Sequence, residues 1–538
     1  MKTIPWRPAT GFRGFKENWK SDILSGFLVS LIALPLSLGI AGASSFPPIM
    51  GVLTAIVGGI VTAFLTNSEL TIKGPAAGLV VIVAGAVDNL GKGNAALGWH
   101  LTLGAIVLAG VVQILLGLFK LPKFADFVPL SVVHGMLAAV GITIMAKQIH
   151  FAVGIDPGEL KGKEPLQLIE MVPGSLAHME YHIAIVGLVS LMIMFGWKYL
   201  SFSYLKKAPP ALVVLIVAVI LGQFFRLFDP AYRDLKPLIN PGEFTLAYNV
   251  DFGGMKGDLL PVFLKYVTMF ALIGSLESFL TVKAIDLLDP FKRKADLSRD
   301  LAAVGAGNVI AGMLGGLPMI SEVARSSANI NNGGKTRWAN LFHGVCLLIF
   351  VAALSPLIKM VPVAALAAML IFVGFRLASP TEFKDIYYIG KEQLIIFLVT
   401  ILVTLSTDLL IGIAVGIITK VIIQLFYGVK IPHIFSPQTE VKVKNDVRYV
   451  YVPRAAVFTN YLNLKGILES LPKGKKIHLD FCDSPYVDHT VMENITRFKN
   501  DYESSGGQMQ ILGLEHHKAL SDHPLAARKN QKQEAALS

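Results

Sequence analysis

The sequence predicts an all-α polytopic membrane protein with a small α/β domain at its C-terminal end, and three observations carry this. Of 538 residues, 53% are hydrophobic and 16% charged, whereas a soluble domain is about a quarter charged. Apolar stretches that reach or approach the ~20 residues of a spanning helix recur as far as about Phe426. From Val441 onward charges lie between short apolar runs, as in ordinary soluble protein.

Residues 1–21, containing WRPATGFRGFKENWK, are basic and lack the apolar core and small-residue cleavage site of a signal peptide. Trp6 and Trp19 suit an interfacial segment leading into the first span. The transmembrane domain is read as 22–427. Its apolar stretches include Asp22–Gly42, Leu101–Phe119, Ile183–Phe195, Ala211–Leu221, Leu341–Leu354 and Leu394–Thr407. Several fall short of a full span, which a bundle tolerates because inner helices need not meet lipid along their whole length. The formal charge of +11 follows topology. With the N-terminus inside, the inside loops hold Arg13, Lys16 and Lys20, then Lys120 and Lys123, Lys206 and Lys207, Lys292 to Lys294 with Arg299, Lys335 and Arg337, and Lys384 and Lys391. Loops near Ser45, Gly91 and Asp408 are almost free of them. This is the positive-inside pattern. It places both termini in the cytoplasm and removes nucleic acid from the expected partners; the lack of a signal peptide and the compact prokaryotic look of the chain give the inner (plasma) membrane as the expected location.

Two spans are interrupted in the same way. LTIKGPAAGLVVIVAGAVDNLG from Leu70 and GGLPMISEVARSSANINNGG from Gly315 each hold a short extended piece, a Pro, and a helix of small residues ending near Gly. The first ends outside and the second before Lys335, so the two half-helices run in opposite senses. Paired interruptions of this kind point to inverted repeats with a binding site near the midplane, where irregular backbone is tolerated only if buried or lining a cavity. A half-helix start offers unpaired N–H groups and the positive end of its dipole, so two starts facing one another make an anion site without a fixed lysine. Gly74, Pro75, Ala76, Ala77 and Gly78 in the first, and Ser321, Val323, Ala324, Ser326 and Ser327 in the second, let an ion approach the backbone. Arg325, one turn into the second half-helix, either raises the local anion concentration, or pairs with Glu322, or snorkels to water. Glu322 favours a helix start yet competes with an anion.

Glu277 is set in the largely apolar MFALIGSLESFLTVKAID, with Thr281 one turn later on the same face. A carboxylate inside a span is costly and usually functional; here it could carry a proton or counterbalance a cation. Lys265 and His134 are read as loop or packing residues. Residues 428–440, YGVKIPHIFSPQTE in part, form a linker. In 441–525, VRYVYV, KIHLDF and QMQILGL read as strands, and Tyr461–Leu471 and Val491–Tyr502 as helices, a small α/β domain. Residues 526–538 read as a disordered tail. Cys346 and Cys482 are too far apart in sequence to suggest a disulfide framework or zinc spacing, and no catalytic residue, metal or cofactor is expected. GAGNVIAGMLGG lacks a preceding soluble strand and suits close helix packing.

LIALPLSLGIAGA, TIKGPAAGL, SLESFLT, DLSRDLAAVGAGNVIAGMLGGLP, ARSSANINNGGKTRWANLFHG and VPVAALAAMLIFVGFRL together resemble the SulP sulfate permease family of anion transporters over nearly the whole chain. VFTNYLNLKGIL and IHLDFCDSPYVDHTVMENI resemble the STAS domain that follows the membrane part in that family. The resemblance implies about fourteen membrane segments as two inverted repeats of about seven, with core helices moving against a gate in an elevator-like cycle. It implies homodimers, and an anion site on Pro35, Gly74 to Ala77, Val323 to Ser326, Glu277 and Thr281. Related bacterial regulators carry a phosphorylatable Ser after the loop Asp. Here Asp488 is followed by His489 and Thr490, so no phosphorylation switch is assigned, Thr490 being the residue that could take that part.

The expected function is therefore secondary transport of a small inorganic anion, bicarbonate or sulfate, as symport with sodium or a proton or as anion exchange. The competing readings are a proton-coupled organic anion or nucleobase-type symporter, and an anion channel or membrane-anchored sensor.

Overall fold

The computed structural model describes residues 7–120, 128–160, 163–199, 208–232, 235–242, 250–436, 438–444, 447–472 and 474–531. Lys123, Lys206 and Lys207, among the charges assigned to inside loops, lie outside these. By packing, the chain divides into two units, Met1–Pro122 with Val140–Leu377, and Lys123–Ala139 with Ala378–Ser538.

In the first unit α1 (Gly11–Ala43) and α2 (Pro48–Leu65) lead to a short strand, β1 (Ile72–Pro75), a single turn at Ala77–Leu79 and the half-helix α3 (Val80–Gly91). Next come α4 (Ala95–Leu118), α5 (Leu130–Ala152, begun in the other unit), α6 (Pro165–Ala177), α7 (Tyr181–Gly196), α8 (Pro210–Phe224), α9 (Leu260–Leu288) and α10 (Leu297–Met313). The second interruption is β2 (Met319–Glu322) with the half-helix α11 (Val323–Asn331), and α12 (Trp338–Ile358) and α13 (Val363–Leu377) complete the unit.

Local chemistry sets the helix starts. Asn94 accepts from the Ala96 and Leu97 amides at the start of α4, and Asp296 from Ser298 and Arg299 at the start of α10, each satisfying donors a helix start leaves free. Small residues set the spacing between helices. A methyl group on Gly110 of α4 would come 2.8 Å from the Gly305 carbonyl of α10, and one on Gly59 of α2 would come 2.5 Å from Gly344 Cα of α12. Gly305 and Gly312 of GAGNVIAGMLGG thus serve helix contact. Leu188 and Met192 on α7 and Ile216 and Ile220 on α8 face outward, as a lipid-facing surface requires. Among the described residues eight helices are long and apolar enough to cross a membrane, and Ala77–Gly91, Pro210–Phe224 and Trp338–Leu354 are shorter apolar ones.

The second unit begins with α14 (Pro380–Ile389), α15 (Lys391–Ser406) and α16 (Leu409–Phe426). The segment read as a linker contains a short helix, α17 (Ile431–Phe435). The α/β domain follows, with β3 (Glu440–Lys444), β4 (Val447–Tyr451), α18 (Tyr461–Ser470), β5 (Lys476–Asp480), β6 (Tyr486–Val487), α19 (His489–Ser504), β7 (Gln508–Leu512), β8 (His517–Ala519) and β9 (Arg528–Asn530). One sheet has the order β3-β4-β5-β7, antiparallel at β3–β4 and parallel beyond, and a small second sheet has the order β6-β9-β8. The three strands and two helices expected from the sequence are β4, β5, β7, α18 and α19. Val450, Ile477, Leu479, Val491 and Ile495 form their shared core.

The tail needs correction. Residues 528–530 form β9, and the Asn530 side chain donates to the Cys482 carbonyl at 2.9 Å. A charged triplet, RKN, carries no pattern of its own and becomes a strand only because β6 and β8 supply its partners. Residues 532–538 lie outside the described residues.

Cys482 gives a test of this local order. Asp480, as hydrogen-bond acceptor, and burial push its thiol up to about 11. The thiolate is the nucleophile, so alkylation by iodoacetamide near neutral pH should run ~100-fold slower than for a free thiol of pKa ~8.5. The rate should climb until about pH 11; a plateau near pH 9 would contradict the arrangement.

Candidate functional site

The two interruptions meet as one antiparallel ribbon. Ile72 pairs with Glu322, Lys73 with Ser321, Gly74 with Ile320 and Pro75 with Met319. Because the strands are antiparallel, α3 and α11 leave from opposite ends of the ribbon and in opposite senses, as the sequence implies. The starts do not simply face across an open gap: paired strands about 10 Å long run between them.

A two-stranded ribbon leaves its outer edges unbonded, and inside a membrane those groups need partners. Side chains from the surrounding helices supply them. The Leu317 amide donates to Thr54 at 2.7 Å, the Met319 amide to Asn308 at 2.6 Å, the Ser321 amide to Ser278 at 3.3 Å and the Lys73 amide to Asn340 at 3.2 Å. The Ser326 hydroxyl accepts from the Ile72 amide at 2.9 Å and donates to the Glu322 carbonyl at 2.5 Å. Ser326, expected to bind substrate, is thus committed to holding the ribbon against α11.

Beneath the ribbon lies an ion pair that the sequence reading missed. Lys73 and Asp300 are both buried, with Lys73 Nζ 2.7 Å from Asp300 Oδ1. Thr71 also accepts from Lys73. Asp300 accepts from Thr66 at 2.5 Å and from Ser321 at 3.2 Å. One carboxylate therefore ties β1, β2 and α10 together. The available signal was a lysine and an aspartate inside apolar runs of TIKGPAAGL and SRDLAAVG, which the strand and cap patterns concealed.

Arg325 is 0% exposed, so it does not snorkel. Its Nη2 donates to Ser37 at 3.2 Å, and a methyl group on Gly74 would come 2.1 Å from Nη1. The guanidinium is therefore wedged between α1 and the first strand. Its Nε and Nη1 meet no hydrogen-bond partner among the described residues. Pro35, on the interior of α1, lies two residues before Ser37, whose hydroxyl makes the contact. His343 of α12 is buried with both ring nitrogens also unpartnered.

Glu277 on α9 is 7% exposed, and a methyl group on Gly78 would come 1.9 Å from its Oε1. Its carboxylate thus rests on the first turn of the first half-helix, where a helix start favours negative charge, and Oε1 has no hydrogen-bond partner among the described residues. Thr281 is buried one turn further on. Gly74, Pro75, Ala76 and Ala77 are all buried along β1 and the turn after it, while Val323 is 45% exposed and Ala324 half-buried at the start of α11. A cavity of about 930 Å³ in this unit is lined by Leu38, Gly39 and Gly42 of α1 and by Leu366 and Leu370 of α13. Neither Glu277 nor Arg325 lines it. The two weaker candidates are elsewhere: His134 Nδ1 is 3.1 Å from Glu382 in the second unit, and Lys265 Nζ lies 5.9 Å from the Tyr266 ring.

Residues 19–400 match the sulfate permease family. The chain belongs to that family. YvdB of Bacillus subtilis (strain 168), named as a candidate sulfate transporter, is 27% identical over 404 residues, 74% of this chain and 72% of that protein. The bicarbonate transporter BicA of Picosynechococcus sp. is 23% identical over 404 residues, 73% of this chain and 68% of that protein. Among solved structures, the transmembrane domain of a cyanobacterial BicA superposes with a TM-score of 0.62 at 22% identity, covering 75% of this chain and 97% of that one. SLC26A9 superposes at 0.66 with 14% identity, over 93% and 85%. These likenesses establish the fold of a membrane transporter of this family.

The contact between Gly78 and Glu277 can be probed directly. Gly78→Ala must displace the carboxylate, a flexible side chain that can move without unfolding its helix. Half-saturation for the transported anion should shift at least ~10-fold, equivalent to ~1.4 kcal/mol, with the denaturation midpoint nearly unchanged. Unaltered half-saturation would show that the carboxylate does not lie there.

Proposed function

We propose that this sulfate permease family member moves a small inorganic anion, bicarbonate or sulfate, by elevator-like alternating access, in symport with sodium or a proton. The observation that carries the reading is the Glu277 carboxylate resting on the first turn of the half-helix that would otherwise attract an anion, beside a strand against which Arg325 is buried. An ionised Glu277 competes with the anion. A proton or sodium ion on Glu277 removes that competition, and linkage requires that the anion raise the cation's affinity by the same factor. Binding of either then favours binding of the other, as cotransport needs. The proposed anion-binding set is Pro35, Gly74, Pro75, Ala76, Ala77, Glu277, Thr281, Val323, Ala324 and Arg325, with Glu277 as the coupling residue and Ser326 as a support for the ribbon.

The positive-inside pattern supports both termini in the cytoplasm, and an inner-membrane location is part of this proposal. The homodimer suggested by the family resemblance belongs to the same proposal.

The test is uptake of labelled bicarbonate and of sulfate into proteoliposomes under imposed sodium or proton gradients. Saturable uptake of one anion driven by one gradient is the expected result. Flux that neither saturates nor responds to a gradient would favour a channel and overturn the reading.

A further inference from the structure

The last long apolar helix, α16, has most of its surface outward, and Leu409, Gly412, Gly416, Lys420 and Gln424 are its buried residues. From Gly412 onward these recur every fourth residue, so they form one stripe. The first half of the stripe fits α15: a methyl group on Gly412 would come 1.9 Å from Thr404 Oγ1, and one on Gly416 would come 2.3 Å from Thr400 Oγ1. The second half is polar, and it is buried by the α/β domain.

Lys420 is 1% exposed and Asp488 0%. Lys420 Nζ lies 2.9 Å from Asp488 Oδ2, donates to Thr490 Oγ1 at 2.7 Å and sits 5.1 Å from the centre of the Phe458 ring. Asp488 occupies the N-cap position of α19, yet its side chain makes no capping hydrogen bond; the carboxylate is directed to the lysine instead. Gln424, one turn beyond Lys420, is buried with both amide atoms unpartnered among the described residues. Around this polar patch, Tyr427 stacks on Tyr486 with centroids 5.8 Å apart, and Ser521 donates to the Ile389 carbonyl at 2.6 Å. Val429 and Ile434, beside and on α17, pack with Ala455, Val457, Tyr486 and Ala527 in an apolar cluster that Val421 of α16 and Tyr427 just beyond it also join.

The two kinds of contact respond differently to separation. An apolar cluster resists exposure, so α17 keeps the domain tethered. Lysine, aspartate, threonine and glutamine all regain water when parted, which recovers much of the desolvation that a buried ion pair costs. An apolar pair of similar volume would hold at least as firmly, so permanent attachment does not require charges here. We propose that Lys420, Asp488 and Thr490 form a latch between the last membrane helix and the α/β domain. Closed, it holds the second half of α16 in place; open, it frees the tethered domain, exposes Asp488 and Thr490, and slows transport by loosening that half of a helix whose first half packs on α15.

The experiment uses the full chain in a Cys346→Ser/Cys482→Ser background carrying Gln424→Cys, whose native amide makes no side-chain bond among the described residues. With Lys420 and Asp488 intact, the introduced thiol should react slowly with a maleimide. Lys420→Met or Asp488→Asn alone should raise that rate at least ~10-fold, and Lys420→Met/Asp488→Leu together should bring it back towards the original. Labelling that does not accelerate in either single variant overturns the latch. If a single variant fails to elute as one species, proteolysis of Lys420→Arg decides instead, cleavage within 436–444 being faster than in the unmodified chain if the latch holds and equal if it does not. Anion uptake should fall at least ~5-fold in the single variants; accelerated labelling with unchanged uptake overturns the claim that docking sets the rate. The uptake arm rests on the transport reading above, whereas the labelling arm does not, so failure of one is distinguishable from failure of the other.

Discussion

Glu277→Gln is expected to remove the effect of an imposed gradient on anion uptake. The amide is nearly the same size as the carboxylate and resembles its protonated form, so it should still rest on Gly78 without repelling an anion. What it lacks is a charge for a proton or sodium ion to neutralise. Coupling between two sites is typically ~1–3 kcal/mol, or about 5- to 150-fold in affinity, and this term should vanish. In proteoliposomes, gradient stimulation should drop to about unity while exchange of one anion for another persists within ~10-fold, the factor expected for a perturbation of ~1.4 kcal/mol. Stimulation that survives the substitution would move the coupling role to another residue. Loss of exchange along with stimulation would mean that Glu277 holds the anion site together rather than coupling it.

Removing either member of the Lys73–Asp300 pair should have the largest effect on stability. Both side chains are almost fully inaccessible, at 0% and 2%, so water cannot take the place of the lost partner. Lys73→Met leaves a buried carboxylate shared by Thr66 and Ser321, and Asp300→Asn leaves a buried ammonium. Each should destabilise by about 3–5 kcal/mol, read as a fall in the denaturation midpoint of the purified protein. Lys73→Met/Asp300→Leu should recover most of that loss, since an apolar pair of similar volume tolerates the same space. The double variant should nevertheless transport poorly, because Ser321 loses the acceptor that ties β2 to α10. A double variant as unstable as the singles would show that the pair's hydrogen bonds, and not its charge balance, carry the stability.

Much of this was legible in the chain itself. The span pattern, the soluble domain, the paired interruptions and Glu277 each depend on local order along the sequence, namely hydropathy, a Pro between small residues, or a carboxylate in a largely apolar helix. Ser326 shows where that reasoning ends. A serine beside a half-helix start is an apparent anion ligand, yet its hydroxyl is already used by Ile72 and Glu322 across the ribbon. Arg325 shows the same from the other side: attracting an anion stood equal on sequence grounds with the alternative of pairing with Glu322 or snorkelling, and burial against Gly74 and Ser37 removed snorkelling.

The sequence by itself determined that this is a membrane protein with two interrupted helices of opposite sense, because solvent and lipid act on each segment through its own composition. It also placed the carboxylate of Glu277 inside a span, where a charge is costly enough to be conspicuous. Only the tertiary structure decided which groups neutralise one another. Lys73 finds Asp300 across 227 positions and Lys420 finds Asp488, which lies beyond strands β3 to β6 in the sequence, and in a low-dielectric interior a charge is stable or costly according to neighbours that the fold alone brings within 3 Å.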